Sequence, residues 1–273
     1  MMATVAERLT YVTPLGVAFV DSATGRRVSD GLVVRVDGAP VGVNRVGVFV
    51  VRHLAGLGAV ERGAGDGEYW ANVRPVRTVR VEVDDPYGRF LPCAFDADVP
   101  ARGLFRLACG SPPGEALPVE LYSAPARPIA ACTAVVRTEL WDADADAPAA
   151  WALVEVSVAG GTPVRGLADA RGRATILFPY PEPSGLDGSP PSLGRRPLTA
   201  QTWPVAIRAY AAPQPAAPVA RPDLCDVLNQ PPATLLAGSP PATPVVEATL
   251  EYGRELVVRT PSQSTLVLTA AAP

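Results

Sequence analysis

Short runs in which apolar and polar residues alternate recur along almost the whole chain. In the run 79–84, three valines lie on one face of an extended backbone, while Arg80, Glu82 and Asp84 lie on the other. A half-buried strand needs this period of two, whereas a helix buries residues three and four apart. Comparable runs occupy residues 15–20, 32–37, 46–52, 134–141, 153–158, 173–178, 203–210, 255–259 and 264–269. The alternation predicts many short strands.

Turn-forming residues separate these runs. The chain holds 24 glycines and 31 prolines, residues that interrupt helices and suit tight turns. Turn sequences such as SATGRR at 22–27 and DARG at 169–172 lie between consecutive runs. Helical character is confined to 2–10 and 221–229, with one or two turns each. We therefore predict an all-β protein built from two immunoglobulin-like or transthyretin-like β-sandwich domains.

Proline-rich stretches divide the chain into candidate domains. The stretch 123–131 is expected to link a first sandwich at 1–122 to a second sandwich at 132–212. The remaining residues, 213–273, open with a proline-rich segment and end with two of the alternating runs, which are predicted to form a β-hairpin. Because two strands alone are unstable in water, this C-terminal tail should dock on a sandwich or on a partner.

Two segments share a recognisable order of strands and turns. Residues 16–36 (GVAFVDSATGRRVSDGLVVRV) contain a strand, an Asp, a Thr-Gly turn and small residues before the next strand. Residues 152–180 (ALVEVSVAGGTPVRGLADARGRATILFPY) contain a strand pair joined through an Asp-x-x-Gly turn, at Asp169 and Gly172. Both segments resemble the carboxypeptidase regulatory-like domain, a transthyretin-like β-sandwich family. The proline-rich residues 181–197 depart from the compact pattern of that family.

The resemblance implies an accessory module. Domains of that family generally serve folding, display or binding, and they offer no catalytic residues to carry over to this chain. Accessory proteins with such sandwiches also occur in phage-tail-like contractile injection particles of bacteria. The resemblance therefore suggests a component of a particle of that kind.

Charge and residue usage exclude several classes of function. A net charge of -3 does not suit a nucleic-acid-binding surface, which needs concentrated positive charge. All 24 basic residues are arginines, so neither Schiff-base chemistry nor a phosphate-binding loop with its lysine is expected. We expect no cofactor and no small-molecule ligand.

Apolar segments and cysteines indicate the cellular location of the chain. No run of about 18 apolar residues is present, so no membrane insertion is expected. The first residues lack a basic start followed by an apolar run, which favours a cytoplasmic protein, or one that leaves the cell within a released particle. Cys93, Cys109, Cys132 and Cys225 form no CxxC pair and are expected to be reduced and buried.

Candidate catalytic and metal-binding residues each have a structural interpretation. His53 is the single histidine, and no G-x-S-x-G motif accompanies it, so we expect a structural or surface role. The acidic run at 142–146 (DADAD) resembles the start of a calcium loop, but Ala147 and Leu153 replace its required Gly and Glu. A solvated hairpin tip is the favoured interpretation, and a weak surface cation site is the alternative.

Four aspartates near the sequence YGRFLPCAF could be imagined as paired carboxylates for glycoside hydrolysis. Asp84 and Asp85 precede this sequence, and Asp96 and Asp98 follow it. Their spacing does not determine their separation in space, and capping of turns at strand ends is the expected role. We predict that the chain is not an enzyme.

Two places are candidates for partner binding. The glycine-rich loop 55–70 ends in Tyr69 and Trp70, and it is either a plain connection or a loop whose aromatic residues anchor a partner. The tail carries Leu266 and Leu268 in its last strand, which should add to a sheet edge in its own chain or in a neighbour.

The function predicted from these observations is that of a structural or adaptor protein. Its sandwiches would form contacts with protein subunits of a larger assembly, with a phage-tail-like contractile injection system as the specific candidate. The alternative is a β-sandwich module that binds carbohydrate or a cell surface through exposed loops and aromatic residues.

Overall fold

The computed structural model describes residues 12–61, 76–109, 117–158, 161–182, 198–213, 219–236 and 242–270. Strands dominate these residues, which confirms the predicted all-β class. The strands are β1 (Leu15–Val17), β2 (Phe19–Asp21), β3 (Arg27–Val28), β4 (Val33–Val36), β5 (Ala39–Pro40), β6 (Gly42–Val43), β7 (Phe49–Val51), β8 (Arg77–Asp84), β9 (Cys93–Val99), β10 (Val119–Leu121), β11 (Thr133–Asp142), β12 (Ala147–Pro148), β13 (Leu153–Val158), β14 (Val164–Leu167), β15 (Arg173–Pro179), β16 (Thr202–Tyr210), β17 (Thr234–Leu236), β18 (Val246–Glu251), β19 (Leu256–Val258) and β20 (Leu266–Thr269). The helices are short: α1 (Gly58–Glu61), α2 (Leu224–Leu228) and a 3-10 turn at Leu198–Ala200.

The first sandwich contains β1 to β10. Its largest sheet has the order β5-β4-β8-β9, and two three-stranded sheets, β1-β7-β6 and β10-β2-β3, complete it. In β8 the alternation works as predicted, because Val79, Val81 and Val83 are all buried while their neighbours are not. Phe19 and Phe49 meet edge to face in the core, with ring centroids 5.3 Å apart.

The second sandwich contains β11 to β20. A four-stranded antiparallel sheet, β14-β13-β16-β18, packs over a six-stranded sheet in which β11 is paired along most of its length. Buried residues from both sheets form a second core, including Val154, Ile176 and Ile207.

Each sandwich is closed by parallel pairing between its first and last parts. In the first sandwich β2 pairs in parallel with β10, so that Val20 lies opposite Glu120. In the second sandwich the long strand β11 pairs in parallel with both β19 and β20. The last strands of the chain are therefore integral to the second sandwich, and its interior is complete only when they are in place.

The C-terminal strands differ from the predicted β-hairpin. β19 lies beside Val136–Thr138 and β20 lies beside Leu140–Asp142, so the two strands follow one another along β11 in the same direction. A loop between them folds out and back, held by a bond from the Thr260 amide to the Thr265 carbonyl at 2.9 Å. A free hairpin would leave an apolar face uncovered, whereas ten-residue β11 offers both strands a partner.

Candidate functional site

His53 lies on the surface and contacts an acidic residue. Its side chain is 88% exposed, and its Nδ1 lies 3.6 Å from a carboxylate oxygen of Glu61. The same carboxylate accepts the backbone N–H groups of His53 and Leu54. Glu61 therefore holds a backbone turn that places His53 in the left-handed region, with a φ of 60°.

The acidic run forms a turn around one buried carboxylate. Asp142 is buried at the end of β11 and accepts backbone N–H groups of Asp144 at 3.0 Å and Ala145 at 3.3 Å. Asp144 and Asp146 point to solvent. This is an Asx-type turn, in which the side chain takes the place of a backbone acceptor. Within the described residues, no three His, Cys, Asp or Glu side chains come close enough to hold a metal ion.

The four aspartates near the YGRFLPCAF sequence bond to different partners. Asp84 accepts two bonds from Arg221, and Asp85 accepts the N–H groups of a turn and the side chain of Arg89. Asp96 pairs with Arg80 at 3.1 Å, and Asp98 accepts the Thr78 hydroxyl at 2.7 Å. The structure therefore places these carboxylates in separate ion pairs and caps.

The predicted partner-binding residues fall into two groups. Tyr69 and Trp70 lie outside the described residues. Leu266 and Leu268 are both 0% exposed and pack in the second core of their own chain. Of the two alternatives for the tail, the structure shows pairing within the same chain.

A segment that the sequence did not single out as a site joins the two sandwiches. After β16 the chain leaves the second sandwich, and residues 219–230, called the strap below, cross to the first sandwich before β17 returns. Helix α2 lies in the strap and buries Leu224 and Val227 in the first core. Asp223 caps the helix by accepting the N–H groups of Cys225 and Asp226.

Charged groups and backbone bonds hold the strap on β8 and β9 of the first sandwich. Arg221 donates to both oxygens of Asp84, at 3.0 and 2.8 Å, in the two-pronged geometry that guanidinium and carboxylate groups favour. Arg80 bonds to Asp223, and the amide of Ala94 donates to the Pro222 carbonyl at 3.0 Å. The strap thus covers part of the otherwise open edge of β9.

The strap is also bound to the second sandwich. The indole N–H of Trp151 donates to the Val219 carbonyl at 3.0 Å. The Gln230 side chain bonds to the backbone at both Trp151 and Leu153, at 3.1 and 3.2 Å. The same short segment therefore contacts both sandwiches.

A disulfide between Cys109 and Cys225 fastens the strap covalently, which corrects the expectation that all four cysteines are reduced and buried. The two residues are 116 positions apart, so no sequence spacing could have revealed the pair. Cys93 is free and buried, and burial raises the pKa of its thiol to about 12. Cys132 is free and exposed.

A cleft of about 400 Å³ lies where the two sandwiches and the strap meet. Much of its wall is apolar, and a few polar groups converge on it, as in many binding sites. The residues that matter below are Leu117, Glu120 and Tyr122 from the first sandwich, Val164 and Arg165 from the second, and Leu228 from the strap.

The charges of the cleft are unevenly paired. Glu155 also lines the cleft, and it is bonded by Arg165 at 3.3 Å and approached by Arg208 at 3.8 Å. Glu120 forms no ion pair with any residue that the structure describes, and its polar contact is with the hydroxyl of Tyr122. Burial raises the pKa of Glu120 above its ordinary value, against the lowering effect of Arg165 and Tyr122. These groups suit recognition of a ligand, since a carboxyl, a phenol and an ion pair supply hydrogen bonds and charge.

Sequence reasoning missed this cleft because its walls come from three distant segments. Glu120 follows a proline-rich stretch outside the alternating runs, and Leu228 belongs to a one-turn helix. The one available signal was the short helix predicted at 221–229, which the structure has as α2.

The described residues contain no membrane-spanning helix, and the chain has no match among protein-family models. Among the described residues, no helix has the length and apolar content required to cross a bilayer. No protein-family model matches the chain, and no curated protein matches it.

One solved structure is similar over most of the chain. It is BcpA, the major pilin subunit of Bacillus cereus, with a TM-score of 0.24 and 10% sequence identity. The alignment covers 96% of this chain and 60% of the pilin chain. Similarity at this level carries no argument about the fold or function of the present protein.

Proposed function

We propose that the chain is a non-enzymatic structural protein that braces protein subunits within a larger assembly. The strap is the observation that carries this proposal. It bonds to both sandwiches through side chains and backbone, and a disulfide fixes it to the first. A connection of this kind holds two binding surfaces at a constant separation and angle, which an adaptor requires.

The residues that first suggested chemistry support the same proposal. His53 contacts Glu61, and the carboxylates of Asp84 and Asp142 serve an ion pair and a turn. Carboxylates that form ion pairs and cap turns in this way stabilise the fold.

Light scattering coupled to size-exclusion chromatography tests the proposal. The purified full chain is run alone and after mixing with the products of neighbouring genes, each purified separately. We expect a defined complex with at least one of them. If every mixture elutes as separate components, the bracing function is wrong.

We further propose a phage-tail-like contractile injection particle as the assembly. The resemblance of residues 16–36 and 152–180 to the carboxypeptidase regulatory-like domain supports this choice. Particles purified from a bacterium that encodes this chain should contain it in a fixed ratio to the sheath protein. Its absence from purified particles would exclude this assembly and leave the bracing function untouched.

The disulfide supports a working environment outside the reducing cytosol. Such bonds persist in oxidising compartments and are rare where glutathione and thioredoxin keep thiols reduced. Of the two locations considered, we therefore propose the released particle. Alkylation of denatured protein, isolated under thiol-blocking conditions, should then label two cysteines, Cys93 and Cys132, and four if the bond is absent in the cell.

Binding of carbohydrate or a cell surface is the second candidate function. The observation in its favour is Tyr87, which is 73% exposed and whose ring centroid lies 5.5 Å from the Arg89 guanidinium. Exposed aromatic rings of this kind can stack on sugars. A glycan array should show binding that Tyr87→Ala removes, and an array without signal would exclude this candidate.

A further inference from the structure

The cleft between the two sandwiches contains an acid, Glu120, that forms no ion pair with any described residue, although Arg165 lies near enough to lower its pKa. Its lining includes the carboxylates of Glu120 and Glu155 and the single guanidinium of Arg165. Arg165 bonds to Glu155, and so does nearby Arg208. Glu120 therefore shares the charge of Arg165 with Glu155 and has no ion pair of its own among the described residues.

This arrangement carries an energetic cost in the free protein. The half-buried carboxyl of Glu120 lies beside apolar side chains, and burial of a carboxylate without an ion pair of its own is unfavourable. A cation that enters the cleft would offset the cost, whereas a second anion would increase it. The charge of the site thus selects a positively charged occupant.

The walls of the cleft indicate the rest of the occupant. Leu117, Val164 and Leu228 approach from the three different segments and present half-buried apolar surface. A charged group on an aliphatic stem can bury the stem against such walls while its head reaches the acid. Among biological cations, guanidinium is weakly hydrated and binds carboxylates through two parallel bonds, so it is favoured over ammonium in buried contacts.

We propose that the cleft binds an arginine side chain of a partner protein, with its guanidinium on Glu120 and its stem between the leucines and Val164. This inference rests on the proposed bracing function, because it names the contact by which a subunit is held. The strap provides one wall, so a partner bound here would touch both sandwiches at their junction.

Two small probes test the charge requirement on the full-length protein. The first is N-acetyl-arginine methylamide, and the second is N-acetyl-citrulline methylamide, which has nearly the same shape without the charge. We expect the arginine probe to shift the backbone NMR signals of 119–122 and 164–167 saturably. The affinity for the citrulline probe should be lower by a factor of about ten or more, which is the scale of a hydrogen bond to a charged group. Equal binding of the two probes, or no binding of either, would overturn the proposal.

Variants of single carboxylates test whether Glu120 is the group that binds the arginine probe. Glu120→Gln keeps the size of the side chain and should reduce the affinity for the arginine probe to that for the citrulline probe. Glu139→Gln is the matched control, because Glu139 is an exposed acid on β11 outside the cleft. Unchanged affinity in Glu120→Gln would show that the probe binds elsewhere and would overturn the proposal.

The outcome can be separated from that of the proposed function. If a complex with a partner forms in light scattering and Glu120→Gln forms it equally well, the cleft is not the contact and the bracing function stands. If no partner complex forms, the bracing function fails, and the cleft as a subunit contact fails with it. The probe titrations then report only whether the cleft binds guanidinium.

Discussion

Asp21 forms a buried ion pair with Arg127, next to the stretch between the sandwiches. Its two carboxylate oxygens accept bonds from Arg127 at 2.8 and 2.6 Å, and one also accepts the Ala23 amide at 3.0 Å. Burial alone would raise the pKa of Asp21, but these bonds outweigh it, so its pKa lies below the ordinary 3.8. The pair therefore fastens residue 127 to the first sandwich.

The substitution Arg127→Met should lower the free energy of unfolding by about 2 kcal/mol at pH 7, the scale of hydrogen bonds to charged groups. Because the folded-state pKa of Asp21 is depressed, its stabilisation is complete above 3.8 and is lost as the pH falls through the lower folded value. The loss caused by the substitution should therefore shrink in acid. Urea unfolding at several pH values measures this, with exposed Arg254→Met as a control expected to have little effect.

Glu120 should behave in the opposite sense. Its raised pKa means that the folded protein binds a proton more tightly than the unfolded chain does. Stability is then lost as the pH rises from the ordinary value of 4.5 through the raised folded value. Glu120→Gln avoids this loss, so the variant should be more stable than the parent at pH 7 and similar to it below pH 4.5. A variant that is less stable at pH 7 would contradict the unpaired state of Glu120.

Single residues were predictable where their role is local. Asp169 was expected to cap a turn, and it accepts the N–H groups of Arg171 and Arg173 at 2.8 and 3.0 Å. Gly172 closes the predicted turn with a φ of 76°, where a side chain would also clash with the Leu140 carbonyl. Glu120 could not be predicted, because its surroundings come from segments far apart in the chain.

At the scale of elements, all ten alternating runs coincide with strands. The run 153–158 matches β13 at both ends, whereas 15–20 is divided into β1 and β2. β9 and β18 are among the strands that were missed. Each buries only two large apolar side chains, Phe95 and Val99 in β9 and Val246 and Leu250 in β18, and pairing with long neighbours decides their conformation. The order of strands in a sheet depends on distant pairing, so the parallel closure had no sequence signal, and the only signal for the strap was its predicted short helix.

The disulfide is predicted to stabilise the strap on the first sandwich. Reduction, or the double variant of Cys109 and Cys225 to Ser, should lower the free energy of unfolding by about 2–4 kcal/mol. Cys132→Ser is the control, because that thiol is free and exposed. Thermal unfolding followed by circular dichroism, with and without a dithiol reductant, measures the effect. An unchanged midpoint would mean that the bonds of Arg221 and Trp151 suffice to hold the strap.

The last strand should matter as much as any core element. Leu266→Ala removes a fully buried side chain and should cost about 3 kcal/mol, whereas the exposed Val257→Ala should cost under about 1 kcal/mol. A chain that ends at residue 244 lacks β18, β19 and β20, so it should lose the cooperative unfolding of the second sandwich. Melting of that truncated chain like the full protein would contradict the observed pairing of β11.

For the whole molecule, we propose two domains joined at 123–131, with the C-terminal strands as part of the second. A fragment of residues 132–212 alone then lacks the strands that close its sheet and should remain unfolded. A fragment of residues 132–273 contains them and should show the circular dichroism of a β-sheet protein. A folded 132–212 fragment would restore the shorter domain limits expected from the sequence.

The parallel closure of each sandwich also orders events during synthesis on the ribosome. The first sandwich can close once β10 has left the exit tunnel, since its last pairing is with β2. The second must wait for β20, near the end of the chain, to reach β11. Non-local pairing of this kind slows folding, and an incomplete sheet exposes edges that favour aggregation. β15 can pair with β11 early, but the edge of β11 that receives β19 and β20 stays unpaired until residue 269 has emerged. We expect the emerging chain to need protection by a chaperone most in this interval.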